Sequence, residues 1–146
     1  MKVEEIKKLI MPSEELINEL KRIIEDRYES CSEYSICEDG LTFEFNGINY
    51  GLIEVGEQPV TDEGKYQYGG ETYQLVSFNS NKKSYPCEKS IIKKFNLFVD
   101  EEWSRSGSYF GDYDYEYEKP SLFSYEVTIV PEVVIPEHEE AVVKNI

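Results

Sequence analysis

Tyrosine and acid alternate in one short run, and this run holds the side chains best suited to bind a partner. The tyrosines are Tyr113, Tyr115 and Tyr117, and the acids, here called the acidic row, are Asp112, Asp114, Glu116 and Glu118. A β-strand sends successive side chains to opposite faces, so a strand here would show carboxylates on one face and tyrosines on the other. Like charges in a row repel one another, and the row therefore predicts contact with something basic.

Three aromatic residues before the row, Trp103, Tyr109 and Phe110, are candidate anchors, because aromatic side chains dominate interface energetics. Carboxylates at alternate strand positions recur about every 6.6 Å, and DNA phosphates about every 3.4 Å per strand. Rows on two neighbouring elements would approach the phosphate density. The pattern favours mimicry of nucleic acid, with these aromatic residues and the acidic row as the partner-binding residues. The alternative is a solvated outer strand face with the tyrosines inward.

The sequence gives little support for nucleophilic catalysis or a zinc site. His138 is the only histidine, and it lies in an acidic segment near the end of the chain. The cysteines are Cys31, Cys37 and Cys87, which form no Cys-x-x-Cys pair. An odd number of cysteines in a chain without a signal-peptide core predicts reduced thiols and a cytosolic location.

A metal-dependent enzyme is the third-ranked alternative. Asp39 and the sequence Glu63-Gly64-Lys65 loosely match the acid and Glu-x-Lys arrangement of some magnesium-dependent nucleases. Glycine follows both acids, and turn chemistry explains that pattern more simply. The acidic row itself lacks the glycine of an EF-hand calcium loop. We therefore predict no catalytic residues, no metal and no cofactor.

The charge is strongly negative and unevenly placed. The chain of 146 residues has a net charge of −15. Residues 100–146 contain 12 acids and 3 bases, a net of −9, and residues 1–99 contain 18 acids and 12 bases, a net of −6. Contact with phosphates needs Lys and Arg density, so direct binding to nucleic acid or to an anionic membrane is disfavoured. No apolar run reaches the ~20 residues that a membrane helix needs.

The first thirty residues predict two helices. Residues 3–10 favour a short helix, which Pro12 interrupts. Ser13 is typical of an N-cap, and the acids after it suit the positive end of a helix. Apolar residues then recur at helical spacing, which predicts a helix over residues 13–29 with one apolar stripe that covers a sheet.

Strands are expected from residue 41 onward. Asn46-Gly47 predicts a tight hairpin between residues 41–45 and 48–52. Its register puts six apolar residues on one face, namely Leu41, Phe43, Phe45, Ile48, Tyr50 and Leu52. Gly69-Gly70 suggests a second turn, with Tyr66 facing Tyr73.

Further strands are predicted after residue 90. Residues 91–99 favour a strand over a helix, and residues 123–129 alternate as another strand. Residues 131–146 would form an edge strand or an extended arm. The expected fold is a single α+β domain over residues 1–146, with an N-terminal amphipathic helix on a mostly antiparallel sheet of six or seven strands.

The stretch from Trp103 to Pro120, followed by residues 123–129, resembles the C-terminal part of small acidic proteins carried by bacteriophages and prophages. The likeness covers about the last third of the chain and is at the level of motifs. The resemblance implies a phage accessory gene, whose product would act in the cytosol of a host bacterium. Small, acidic phage proteins include anti-CRISPR and anti-restriction inhibitors that occupy DNA-binding clefts. It identifies no specific inhibitor family and carries over no functional residues.

Together these observations favour a non-enzymatic inhibitor that binds the basic nucleic-acid channel of a host defence protein, such as a CRISPR effector nuclease. The alternative is an accessory or assembly protein that acts through protein contacts without inhibition.

The charge leads to a first testable prediction. We expect the purified chain not to bind duplex DNA, because its net charge of −15 repels the phosphates. An electrophoretic mobility-shift assay at physiological salt checks this. A shift at micromolar protein would contradict it.

Overall fold

The computed structural model describes residues 2–30, 34–38, 40–79, 85–107, 113–130 and 136–146. Two helices come first, α1 (Val3–Lys7) and α2 (Glu14–Ser30). The strands that follow are β1 (Thr42–Phe45), β2 (Ile48–Glu63), β3 (Tyr66–Phe78), β4 (Ile91–Ser106), β5 (Asp114–Tyr117), β6 (Ser121–Val130) and β7 (His138–Asn145).

These strands form one antiparallel sheet. Its order is β1-β2-β3-β4-β6-β7, and β5 pairs with β4 outside this path. Short β4–β6 pairing joins the two parts of the sheet at Phe98–Phe123, Val99–Leu122 and Asp100–Ser121. The expected α+β class, with helices first and an antiparallel sheet of seven strands after them, is confirmed.

The predicted amphipathic helix is α2, and it packs on one face of the sheet. Ser13 Oγ accepts a hydrogen bond from Leu16 N at 3.2 Å, which is the N-cap that the sequence predicts. The apolar stripe of α2 joins one core with buried residues of the strands, namely Leu16, Ile17, Leu20, Ile24, Leu41, Tyr50, Leu52, Tyr73, Leu75, Phe95, Leu97, Val99 and Leu122. The sheet face that carries this core is called the helix-covered face.

The first helix is shorter than the predicted span of residues 3–10. It ends at Lys7, and Ile10 pairs with Phe95 of β4 as a parallel bridge. Asn96 N donates to Ile10 O at 2.9 Å. This bond supplies a donor to the Ile10 carbonyl, which would have no intrahelical partner at the end of a helix that continued to residue 10.

The β1–β2 hairpin has the predicted turn and register. Asn46 and Gly47 have φ of 51° and 79°, the left-handed conformations that a two-residue hairpin turn requires. Phe45 pairs with Ile48, and Phe43 with Tyr50. All six predicted residues fall on one face by this register. Ile48, beside the turn, is nevertheless 46% exposed because it lies beyond the area that the core covers.

The predicted turn at Gly69-Gly70 is wrong. The chain reverses at Gly64, with φ of 67°, and Tyr66 pairs with Glu63 across that turn. Gly69 lies inside β3 opposite Trp103. A Cβ at Gly69 would lie 2.8 Å from Trp103 Cη2, and one at Gly70 would lie 2.9 Å from Glu101 O. These glycines leave room for the indole ring and for the neighbouring backbone, and they make no turn.

The remaining strand predictions concern the second half of the chain. Residues 91–99 belong to β4 and residues 123–129 to β6, as predicted. β7 lies at one edge of the sheet, and residues 131–135 lie outside the described residues. α1 contacts β6 and β7, and Lys7 Nζ lies 2.7 Å from Glu139 Oε2.

The packing of Trp103 on Gly69 predicts a steric effect. We expect Gly69→Ala to lower the free energy of unfolding by about 1–3 kcal/mol, the usual cost of overpacking. Urea denaturation measures it. Gly56→Ala is the matched control in β2, where a Cβ would meet nothing nearer than Thr72 Cβ at 3.9 Å, and it should change stability by less than ~1 kcal/mol. Equal effects of the two substitutions would contradict this account.

Candidate partner-binding site

The far end of β4 and the short strand β5 bring the predicted tyrosines and acids together. Arg105 pairs with Tyr115, and Trp103 with Tyr117. Tyr115 and Tyr117 are half-buried on the helix-covered face, and Asp114 and Glu116 are exposed on the other. The predicted separation of tyrosine from acid is present in this described part of the row. Tyr109, Phe110 and Asp112 lie outside the described residues.

Glu102 of β4 lies beside the acids of β5, although the acidic row predicted from the sequence does not include it. Glu118 is exposed just beyond β5, and its N–H donates to Glu102 O at 2.9 Å. Glu102 is exposed as well, so two like charges lie directly opposite each other. The acidic face is defined here as Glu102, Asp114, Glu116 and Glu118. Alternate residues recur about every 6.6 Å and neighbouring strands lie about 4.8 Å apart, so these carboxylates form a two-dimensional array.

The tyrosines form a continuous aromatic stack on the opposite face. The Tyr115 and Tyr117 rings stack with centroids 6.0 Å apart. The edge of Trp103 meets Tyr115 at 5.5 Å, and Tyr113 meets Tyr115 at 6.3 Å. Such pairs contribute about 0.5–1.5 kcal/mol each beyond the area they bury.

Arg105 lies within this aromatic stack. Its guanidinium carbon is 4.2 Å from the Tyr113 ring centroid and 5.0 Å from that of Trp103. Its Nη1 donates to Tyr115 Oη at 3.0 Å, and its Nε donates to Gln67 Oε1 at 2.6 Å. The aromatic faces and neutral oxygens thus hold a guanidinium group, and the rings attract it through their negative faces.

Trp103 is mostly covered. It is 8% exposed, it packs on Gly69, and its Nε1 donates to both carboxylate oxygens of Glu71 at 3.2 and 3.3 Å. The indole therefore supports the site from beneath, and only a small part of it can touch a partner. The candidate anchor Trp103 is thus a largely buried part of the site.

A cleft lies between the aromatic stack and the segment of residues 34–38. Two adjoining depressions of about 520 and 580 Å³ share Ser35, Glu38, Tyr115 and Tyr117 as walls. Glu54, Glu71, Tyr73, Trp103 and Arg105 are among the residues that line the inner part. Tyr34, Tyr113 and Asp114 line the outer part. We call this the tyrosine cleft.

The buried carboxylate of Glu101 fixes one wall of the tyrosine cleft. Glu101 is 1% exposed; it accepts hydrogen bonds from Ser35 Oγ and, at 3.0 Å, from Ile36 N. Burial raises the pKa of the Glu101 carboxyl, although hydrogen bonds from Ser35, Ile36 and Cys37 act against this by favouring the ionised form. Glu101 thereby ties residues 35–37 to the sheet.

The other carboxylates of the cleft lie close together and share it with the guanidinium of Arg105. Burial raises the pKa of Glu71, while the hydrogen bond from Trp103 lowers it, and the charges of Glu54, Glu101 and Glu38 raise it further. Burial also raises the pKa of Tyr117 to about 12. Within the described part of the chain, none of the cleft carboxylates forms an ion pair. The cleft thus sets three carboxylates, those of Glu38, Glu54 and Glu71, against the one guanidinium of Arg105. This negative balance and the aromatic walls suit an organic cation.

The structure gives separate positions to the residues considered for catalysis. Cys37 is buried, and burial raises the pKa of its thiol far above the usual range, which disfavours a nucleophilic thiolate. Glu63 and Lys65 flank the β2–β3 turn, about 30 Å along β2 from Glu54 in the cleft at ~3.3 Å per residue. Asp39 and Cys31 lie outside the described residues.

Two further findings concern the described residues alone. No three of their carboxylate, thiol or imidazole groups are placed to share a metal ion. No helix among them is long and apolar enough to cross a membrane. Comparison of the chain with protein-family models, curated proteins and solved structures finds no match.

The burial of Glu101 predicts a pH-dependent stability. Its pKa is raised above the ordinary value of 4.5, so the folded state keeps a proton that the unfolded chain has released. This contribution to stability is complete below the ordinary pKa and is lost as the pH rises through the raised pKa. Between the ordinary and the raised pKa, the free energy of unfolding should therefore decrease as the pH rises. We expect this decrease to be smaller in Glu101→Gln, as measured by urea denaturation at a series of pH values.

Ser35→Ala provides the opposite test. It removes a hydrogen bond that lowers the pKa of Glu101, so the pH-dependent fall should extend to higher pH. A Glu101→Gln variant with the pH dependence of the wild type would show that Glu101 does not cause it.

Proposed function

We propose that this chain is a non-enzymatic binding protein that occupies the basic nucleic-acid channel of a host defence protein, as phage inhibitors of CRISPR effectors or restriction enzymes do. The observation that carries the proposal is the division of β4 and β5 into an array of exposed carboxylates on one face and an aromatic cleft for cations on the other.

The acidic face supports electrostatic attraction to a basic channel. Glu102 and Glu118 lie opposite each other, and Asp114 and Glu116 continue the array. Within the described residues, none of the four forms an ion pair with Lys, Arg or His. Their mutual repulsion offers nothing to the isolated fold, whereas a partner's Lys and Arg side chains would relieve it and would be steered toward it.

The tyrosine cleft supports recognition of an individual cationic side chain. Arg105 holds a guanidinium against Tyr113 and Trp103, so the aromatic rings of this cleft suit the Arg and Lys side chains with which a channel contacts nucleic-acid phosphates. Glu38, Glu54 and Glu71 would supply the carboxylates for a guanidinium or ammonium group of the partner.

A second function, that of an accessory or assembly protein that acts by strand pairing without inhibition, is favoured by a different observation. β7 is an edge strand, and Val142 and Val143 in it are exposed. Edge strands are the usual site of pairing with another chain. The two functions are distinguished by whether nucleic acid competes for the bound partner.

The test removes charge from the acidic face and measures binding. Asp114→Asn, Glu116→Gln and Glu118→Gln together keep side-chain size and remove three charges. Each exposed pair contributes ~0.2–1 kcal/mol, so the affinity for a partner captured from bacterial lysate should fall about 3-fold to 150-fold. The loss should appear chiefly in the association rate, measured by surface plasmon resonance at several salt concentrations.

The matched control removes the same number of charges elsewhere. Glu29, Glu44 and Glu126 are exposed on α2, β1 and β6, and their replacement by Gln should leave affinity within about twofold of the wild type. The captured partner should bind nucleic acid, and duplex DNA should compete with the chain for it. Equal behaviour of the two triple variants, or a partner that binds chain and nucleic acid together, would contradict the proposal.

A further inference from the structure

The free edge of β7 carries a self-complementary sequence. β7 is the last strand in the sheet order, and no described strand pairs with its outer side. Val142 and Val143 in its middle are 43% and 52% exposed. An edge strand presents unpaired backbone groups to which another strand can bond. Independently of the function proposed above, we propose that β7 pairs with β7 of a second copy, which joins two sheets across a two-fold axis.

The hydrogen bonds to β6 determine which backbone groups of β7 face outward. Ile146 N donates to Leu122 O at 3.1 Å, and the β6–β7 register has no shift. Hydrogen-bonded pairs alternate along an antiparallel ladder, so the even-numbered residues of β7 bond to β6. The N–H and C=O groups of Glu139, Ala141, Val143 and Asn145 therefore point to the free edge.

A two-fold axis restricts how two copies of β7 can align. In an antiparallel pair, residues that lie opposite each other point to the same face of the sheet. The two-fold axis is perpendicular to the sheet and keeps every residue on its own face, so it must pass beside a residue that lies opposite the same residue of the second copy. With Val142 at the axis, Glu140 lies opposite Lys144 of the second copy, and Ala141 lies opposite Val143. The outward backbone groups of Ala141 and Val143 then form the hydrogen-bonded pairs.

Charge selects this alignment over its neighbours. With the axis at Glu140, this carboxylate lies opposite the same carboxylate of the second copy. With the axis at Ala141, Glu140 lies opposite Val142 of the second copy. With the axis at Val143, Lys144 lies opposite Val142 of the second copy. The Val142 alignment alone forms two Glu140–Lys144 pairs. Among the described residues Lys144 has no ion-pair partner within its own chain, so it is available for this contact. Glu140 contacts His138 of its own chain through Oε1 at 2.7 Å, and Lys144 of the second copy would be a further partner of this carboxylate.

The contact is small, and its expected strength follows from its size. β7 has 8 residues, and a pair of such strands buries less than the ~1,200 Å² of a standard interface, which places the dimer in the weak class, with a Kd on the order of 100 μM. Analytical ultracentrifugation of the full chain from about 10 μM to about 1 mM at physiological salt covers this range. The weight-average mass should rise toward that of a dimer.

A charge swap tests the alignment itself. Glu140→Lys alone and Lys144→Glu alone each set like charges opposite each other at two places, and each should weaken association at least about fivefold. The double variant restores opposite charges and should return to within about twofold of the wild type. On β6, Thr128 and Ser124 lie opposite these residues. Glu140 Oε1 lies 2.7 Å from His138 Nε2 of its own chain, so Glu140→Lys also removes this contact. Lys144→Glu is therefore the cleaner of the two single swaps.

The thermal midpoint of each swap variant shows whether its folding is impaired. If it is, a further variant tests the dimer instead. Val142→Lys places two ammonium groups at the axis while lying opposite Glu126 of its own sheet, and it should abolish the dimer. A wild-type chain that stays monomeric to about 1 mM would overturn the proposal. Single swaps that associate like the wild type, or a double variant that does not recover, would also overturn it.

Discussion

The shape of this molecule depends on the mismatch in length between its main helix and its longest strands. α2 has 17 residues and spans about 25 Å at ~1.5 Å per residue. β4 has 16 residues and spans about 50 Å at ~3.3 Å per residue. The helix is too short to cover the whole length of such a strand. The core that contains α2 includes Phe95, Leu97 and Val99 of β4, and the inward side chains of β4 beyond Val99 need a different cover.

The part of β4 beyond Val99 is covered by polar and aromatic groups. After Val99, the inward residues of β4 are Glu101, Trp103 and Arg105, which lie opposite Glu71, Gly69 and Gln67 of β3. Glu101 ties residues 35–37 over the sheet, and the β5 tyrosines stack beside Trp103 and Arg105. The same pairing that continues the core thus ends in a concave, negatively charged surface. Aromatic stacking stabilises this end, and clustering of carboxylates opposes it.

Local patterns predicted much of the fold because the decisive information lay within a few residues. The Asn46-Gly47 turn fixed its own hairpin register, and the spacing in residues 13–29 predicted α2. Gly69-Gly70 was misassigned as a turn because the need for glycine at residue 69 comes from the ring of Trp103, which lies 34 residues further along the chain. Glu101 was missed although a signal was present: the alternation of Leu97 and Val99 continues to it, which marks it as an inward carboxylate. Its partners at Ser35 and Ile36 are set by tertiary structure, which no local pattern contains.

The sheet order also keeps the acidic face and the β7 edge apart. Val142 lies opposite Glu126, and Glu126 is ten residues along the chain from Glu116, roughly 30 Å at strand spacing. A second copy on β7 would leave both acidic faces uncovered in one continuous sheet. Two such faces on one body would bind a partner with two basic surfaces more tightly than either alone, since the second contact forms at a high effective concentration. Weak contacts by exposed charges, each worth little in isolation, would then act together at the concentrations at which the dimer forms.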